Sequence, residues 1–189
     1  MSVEGLPTSL AEARRDYQGL LLSEVVRHAE RKLGRPLPAG WLERYERERA
    51  VVFRRELAAV PGAAEAIERV RASGAAVCVA SQGKLSKTRL SLELTGLRDM
   101  FAEDALFSAE LVPRGKPYPD LFLHAARAMG VDPAGCVVVE DTPSGVTAAV
   151  AAGMRAIGYA ADSDERALRR AGAELVWALN ELPERLGLT

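Results

Sequence analysis

Histidine is almost missing from this chain, which carries only His28 and His124. Both fall in helical patterns with no second His or Cys at ligand spacing, so a histidine-built metal centre is excluded and both read as surface or packing residues. Cysteine is as scarce, with Cys78 and Cys136 only. Each sits in an apolar run and the two are too far apart in sequence for a metal knuckle, so they read as buried free thiols of a reducing cytoplasm. Aromatic residues make up 5% of the chain and the formal net charge is −1. With so few rings to stack on bases and no basic stripe, a nucleic-acid partner is not expected. There is no signal-peptide pattern and no apolar stretch long enough to span a bilayer, so neither a membrane partner nor export is expected and the location reads as cytoplasmic. Internal repeats, low-complexity tracts and long linkers are missing too, and a monomer is the expected state.

What is present suits a globular protein. The chain has 189 residues, 48% of them hydrophobic and 27% charged, which allows one substantial core or a core with a small accessory layer. The pattern divides it in two. From about Thr8 to Leu57 every signal is helical: Ser9-Leu10-Ala11-Glu12 is a capping box, Leu20 to Leu33 is amphipathic and stopped by Gly34, and Trp41 to Leu57 carries a dense charged face. Val60-Pro61-Gly62 breaks that pattern. Beyond it, helices predicted at 62–73, 84–95, 119–129, 143–152 and 163–171 alternate with apolar runs at 75–80, 104–108, 136–140, 155–159 and 174–177. Alternation of this kind specifies an α/β fold, a Rossmann-like parallel sheet with helices on both faces, preceded by a small helical segment. The boundary falls between 58 and 59.

Three segments carry candidate chemistry. Val137-Val138-Val139-Glu140-Asp141-Thr142-Pro143-Ser144-Gly145 delivers two adjacent acids from an apolar strand to a turn that opens a helix. Such a pair can hold a cation beside a phosphate, or can serve as a helix cap that complements the dipole. Upstream, the run Ala75 to Ala80 ends in Ser81-Gln82-Gly83-Lys84, which puts a hydroxyl, a glycine and an ammonium at one strand end. The serine could equally be a helix cap. Between them, Arg114-Gly115-Lys116-Pro117-Tyr118-Pro119-Asp120 presents a lysine on a loop stiffened by prolines, suited to a phosphoryl oxygen or simply solvated. Parallel strands bring all their carboxyl ends to one rim, so the order of the three matters more than any one of them. Other phosphate motifs fail: Glu110 stands where a P-loop needs its first glycine, no G-x-G-x-x-G follows a strand, and Ser81 lacks a nucleophile-elbow context.

In that order, Ser81 after an apolar strand, Gly115-Lys116-Pro117-x-Pro119-Asp120, and Val139-Glu140-Asp141-x-Pro143-x-Gly145 resemble the second, third and fourth motifs of the haloacid dehalogenase superfamily. The likeness is greatest to its β-phosphoglucomutase-like and phosphoglycolate phosphatase-like branch. The resemblance implies that Ser81 hydrogen-bonds the transferring phosphoryl group and that Lys116 neutralises its charge and steadies the nucleophile. It implies that Asp141, supported by Glu140, binds Mg²⁺. Gln82 and Lys84 would lie toward the substrate, Lys84 by likeness to a position that contacts the substrate's far end in phosphomutase-like members. The helical segment 1–58 would be a partial cap that closes over the core 59–189, excludes water and selects the substrate, with Trp41 packing between its helices. Its turn Asp16-Tyr17-Gln18-Gly19 puts Gln18 toward the substrate, with Arg14 and Arg15 either contacting an anion or forming a solvated helix face. The implied activity is a Mg²⁺-dependent phosphatase acting on a small phosphorylated metabolite. The alternatives are a non-catalytic remnant that binds phosphate or a partner, and a phosphomutase.

One family feature has no counterpart. The first motif, an apolar strand ending in Asp-x-Asp, supplies the nucleophile and the general acid/base, and none occurs between Met1 and Thr189. Asp162 and Asp164 have the spacing, but they follow a strand that already has its place, and Ser163-Asp164-Glu165 reads as a helix start. In the family that first strand lies mid-sheet, so a chain without it would leave a slot flanked by unpaired strand edges. Each stranded backbone group costs roughly 1–3 kcal/mol against a total stability of about 5–15 kcal/mol. A late start, a fragment, or a fold closed over the gap with loss of activity would each account for this. Met1 to Pro7 reads like a helix tail and its exit turn, so the expectation is that the nucleophile lies upstream.

Overall fold

The computed structural model describes residues 4–17 and 19–188. Gln18, the residue expected to face the substrate, lies outside the described residues, as do the side chains of Leu10, Arg14 and Arg15. The chain forms two compact units, Met1–Leu57 and Ala58–Thr189.

The first unit is helical: α1 (Leu10–Tyr17), α2 (Leu22–Leu33) and α3 (Trp41–Glu56). The capping box forms as the sequence predicts, with the Ser9 amide donating to Glu12 Oε2 (2.8 Å) and the Glu12 amide donating to Ser9 Oγ (3.2 Å). Gly34 ends α2 at φ 66°, a left-handed turn that only glycine adopts without strain. Trp41 is buried, but its ring stacks on Tyr45 one turn along the same helix at 5.2 Å, rather than acting only between helices. His28 packs edge-on against Tyr17.

The second unit alternates helix and strand: α4 (Ala63–Ala72), β1 (Val79–Ser81), α5 (Leu85–Leu94), β2 (Leu106–Ser108), α6 (Asp120–Ala128), β3 (Val137–Glu140), α7 (Pro143–Ala151), β4 (Arg155–Tyr159), α8 (Glu165–Ala171), β5 (Glu174–Val176) and α9 (Leu182–Arg185). All pairings are parallel. β1 pairs with β2 in the register Ala80 to Phe107, and β4 lies between β3 and β5, with Val138 opposite Ala156 and Gly158 opposite Leu175. Among the described residues the strands therefore form two sheets, β1-β2 and β3-β4-β5, rather than one.

The alternation of side chains along β4 shows how the faces are covered. Ala156 joins a core with Val138, Val146, Ala148, Ala149, Leu168 and Leu175, while Ile157 points the other way into a cluster with Ala66, Val176 and Leu182. α7 can lie close on the first face because alanine and valine dominate it. β3 breaks this rule. Val138 is 9% exposed, yet Val137 and Val139 on its opposite face are 38% and 42% exposed, where a doubly covered sheet buries both.

The predicted strand 75–80 shortens to Val79–Ser81, because β1 pairs along one edge only and with a partner of three residues. Cys78 consequently lies outside the ladder and is exposed, and Cys136 is half-buried, so the expectation of two buried thiols is corrected. Their environment still acts on them. Desolvation of the sulfur, then the neighbouring Cys136, pushes the Cys78 thiol above its ordinary range, and desolvation followed by Asp132 does the same for Cys136. His124 packs edge-on against Phe107, and Asp164 caps α8 by accepting from the Ala167 amide.

Candidate active site

Lys116 is the residue around which the rim is built. Its side chain is 7% exposed, and its ammonium donates to the carbonyl of Ala80 on β1 (3.1 Å) and to Glu140 Oε1 at the end of β3. Below it lies the ring of Phe122, with the nitrogen 4.9 Å from the ring centre. A lysine stays charged at such a depth only with donors matched to acceptors, and Glu140, itself 9% exposed, supplies the opposite charge.

The lysine is held by its backbone as well. The Lys116 amide donates to Gln82 Oε1 (2.9 Å), and Gln82 Nε2 donates back to the Lys116 carbonyl (3.4 Å). This reciprocal clamp explains Gly115, where a Cβ would stand 2.7 Å from both polar atoms of the Gln82 amide. The Lys116-Pro117 bond is cis. Arg114 is turned away from the rim: it grips Asp120 with two nitrogens (3.2 and 3.0 Å) and lies over Tyr118, and Asp120 raises its already high pKa through that hydrogen bond and its charge.

At the end of β3 the two acids part. Glu140 turns inward, where Oε2 accepts from Thr142 Oγ1 (2.9 Å) while Oε1 takes Lys116. Thr142 is the N-cap of α7, its hydroxyl accepting from the Gly145 amide (3.1 Å), and Pro143 holds the first turn. Glycine at 145 is obligatory, since a Cβ there would fall on the Glu140 carboxyl. Asp141 turns outward and is exposed. The expectation that both acids face a cation thus separates in this structure: Asp141 is open, whereas both Glu140 oxygens are engaged.

Ser81 immediately follows Ala80, so its hydroxyl stands at the same rim. Ser81 Oγ accepts from the Gly83 amide (3.1 Å), which occupies a lone pair and leaves its own proton to be donated. Lys84 is the N-cap residue of α5 and is half-buried. Lys116 and Glu140 are therefore brought together, with Ser81 following the Ala80 that Lys116 also bonds and Asp141 following Glu140, while Gln82 is committed to the clamp. The roles of Gln82, Thr142 and Glu110 were not foreseen. Glu110, which accepts from the Leu85 amide at the start of α5 (3.2 Å), carries no sequence signal, whereas the Gln82 contact explains why residue 115 has no side chain.

Among the described residues no three His, Cys, Asp or Glu side chains stand together as a closed metal cage. An open carboxylate at a strand end, beside the amino end of a helix, fits a small hard cation that keeps several waters and shares phosphate oxygens, which is the coordination Mg²⁺ prefers. The donor set fits that ion through Asp141.

A parallel α/β core that places Ser81 and the Glu140-Asp141 pair at strand carboxyl ends, with the Lys116 ammonium between Ala80 and Glu140, has the layout of the open-sheet class, whose ligand crevice lies at those ends. The chain belongs to the haloacid dehalogenase-like hydrolases, whose family model matches residues 3–153. It is 42% identical over 98 residues to hexitol phosphatase B of Escherichia coli, a match covering 52% of this chain and 43% of that one. It is 29% identical over 181 residues to the 6-phosphogluconate phosphatase of the same organism, covering 95% and 80% respectively. A crystal structure of a HAD family hydrolase from Deinococcus radiodurans, with bound phosphate and sodium, superposes with a TM-score of 0.77 at 28% identity, covering 98% of this chain and 83% of that one. This chain spans less than half the length of the hexitol phosphatase it matches. Among the described residues no helix is long and apolar enough to cross a membrane.

Proposed function

We propose that this chain forms the body of a Mg²⁺-dependent phosphatase that hydrolyses a small phosphorylated metabolite through an aspartyl-phosphate, as a monomer in the cytoplasm. The aspartate is carried on a strand that precedes residue 1 in sequence and lies between β1 and β3. The observation that carries this reading is the Lys116 ammonium held between the Ala80 carbonyl and Glu140, next to Ser81 and Asp141. Relatives named as a hexitol phosphatase and a 6-phosphogluconate phosphatase support a small polyol or sugar-acid phosphate as the substrate class.

The chain's own residues orient and neutralise. Ser81 donates its hydroxyl proton to a phosphoryl oxygen, and Lys116 offsets charge that accumulates as the phosphoryl group moves from substrate oxygen to carboxylate and then to water. Glu140 pairs with Lys116 and aims it, and the Gln82 clamp fixes the loop that carries it. Asp141 would hold Mg²⁺, which when bound neutralises phosphate oxygens and screens them from the nucleophile.

The test is a phosphatase assay on two forms, the 189-residue chain and one extended upstream by an apolar strand ending in Asp-x-Asp. The extended form is expected to turn over with Mg²⁺, and Asp141→Ala within it to lose about 10²–10³-fold or more. Turnover by the 189-residue chain alone would refute the placement of the nucleophile, and turnover indifferent to Mg²⁺ would refute the role of Asp141. The separation of β1-β2 from β3-β4-β5 favours one second reading, a non-catalytic remnant that binds phosphate without turnover. A phosphomutase would rest on Lys84 alone.

A further inference from the structure

We propose that Glu110 selects the substrate by its far end, accepting hydroxyl protons from an uncharged polyol tail and repelling a tail that ends in a second anion. This rests on the phosphatase reading and narrows its substrate class, from polyol or sugar-acid phosphates to the polyols. Glu110 reaches the rim through β2. Ser108, the last residue of β2, is paired with Ser81 in the parallel ladder, one strand spacing of about 4.8 Å away, and Glu110 follows two residues on. Ser108 is wholly buried, and its hydroxyl donates to the Gly83 carbonyl (2.9 Å) and accepts from the Glu110 amide (3.1 Å), so the turn that carries Glu110 is fixed against the β1–α5 loop. There Glu110 Oε2 accepts from the Leu85 amide (3.2 Å) and lies 3.4 Å from the Ser108 hydroxyl.

Oε2 is thus committed, whereas Oε1, on an exposed residue, bonds nothing among the described residues. A carboxylate anchored by one oxygen presents the other in a set direction. It also fills the place at the amino end of α5 that a ligand anion would take. Lys87 supplies the complement. Its side chain folds back over Gly83, where a Cβ would stand 3.0 Å from Lys87 Cδ, 3.8 Å from its Nζ and 3.6 Å from Ser81 Oγ. The ammonium and the Ser81 hydroxyl therefore border the same small space, and Glu110 stands at the far side of the same loop. A tail of a few carbons covers the one strand spacing from Ser81 to that side. Each hydroxyl is donor and acceptor at once, so a run of vicinal hydroxyls gives a proton to Oε1 and a lone pair to the ammonium. A terminal carboxylate has no proton to give and meets the Glu110 charge at contact distance, where like charges repel.

The probes are glucitol 6-phosphate, 6-phosphogluconate and hexyl phosphate, esters of one length, titrated into the 189-residue chain by calorimetry. The polyol ester is expected to bind about tenfold tighter than either of the others, the worth of one charge-assisted hydrogen bond or one close repulsion. This series tests the proposal without any variant. Glu110→Gln keeps an oxygen for the Leu85 amide, so circular dichroism should report an intact fold, and it removes the charge. The preference for glucitol 6-phosphate over 6-phosphogluconate should then fall at least about fivefold. Loss of a purely structural cap on α5 would shift both affinities alike and leave their ratio unmoved. In the upstream-extended form the same ratio is read from kcat/KM. An unmoved ratio, a wild-type preference for the acid, or no binding of glucitol 6-phosphate to a folded chain would each overturn the proposal. Turnover of both esters with the ratio unmoved would remove the role of Glu110 and leave the phosphatase standing. A shifted binding ratio with no turnover of either ester by the extended form would count against the phosphatase and leave Glu110 as a polyol contact.

Discussion

Replacing Glu140 by glutamine keeps the shape of the side chain and removes its charge, so it isolates the ion pair with Lys116. Both side chains are less than a tenth exposed, so the Lys116 ammonium would be left in a low-dielectric site with the Ala80 carbonyl and a neutral amide. Breaking one partner out of a buried pair costs about 3–5 kcal/mol, and the amide oxygen, still able to accept, returns about 1 kcal/mol. A net loss of about 3 kcal/mol is expected, or about 6–12 °C in melting temperature for a chain of this size. Urea unfolding followed by circular dichroism reads the loss, and a cycle with Lys116→Met tests its origin. The double variant removes both charges and should be less destabilised than the sum of the singles by at least about 1.5 kcal/mol. Raising the salt should leave the coupling nearly unchanged, since screening acts on exposed charges. Additivity within about 0.5 kcal/mol, or coupling that vanishes in salt, would refute the buried pair.

Gly115→Ala should displace the Gln82 amide, which a Cβ would approach to 2.7 Å, and cost about 1–2 kcal/mol through the two hydrogen bonds it breaks. In a Gln82→Ala background the same change should cost almost nothing, and an equal cost in both backgrounds would contradict the clamp. For Cys78, whose folded pKa lies above its unfolded value of about 8.5, the native state retains the proton longer. Its contribution to stability is therefore full below that value and falls as pH rises through the folded pKa. At pH 8 maleimide should label Cys78 more slowly in the native chain than in urea, and equal rates would show that the thiol is unperturbed.

How much could be read beforehand depended on how local the governing interactions are. The helix and strand order, the Ser9 and Gly34 signals and the α/β class follow from patterns within a few residues, and they appear as expected. The shortness of β1 was not legible, because the length of a strand depends on partners elsewhere in the chain, and Ala75 to Cys78 have none along a ladder. The rim divides in the same way. Convergence of Ser81, Lys116 and the acid pair follows from strand direction, but adjacent acids point to opposite sides, and which one turns inward is decided by Thr142 and Gly145. Gln82 was expected to face the substrate by likeness alone, whereas its amide is bound to a backbone 34 residues away. Gln18 remains an expectation from sequence.

The two half-sheets also differ in how their contacts are distributed along the chain. β3, α7, β4, α8 and β5 follow one another without interruption, and they share one apolar cluster centred on Val146, Ala149 and Leu168. A block of that kind has short loops to close and can form as one cooperative unit ahead of its surroundings. β1 and β2 are separated by α5 and a long connection, pack in part on a smaller cluster around Leu92, Phe101 and Leu106, and meet the block through Ala80, α6 and Lys116. The rim therefore needs both half-sheets in place, since the Lys116 ammonium bonds the Ala80 carbonyl of one and the Glu140 carboxylate of the other at once.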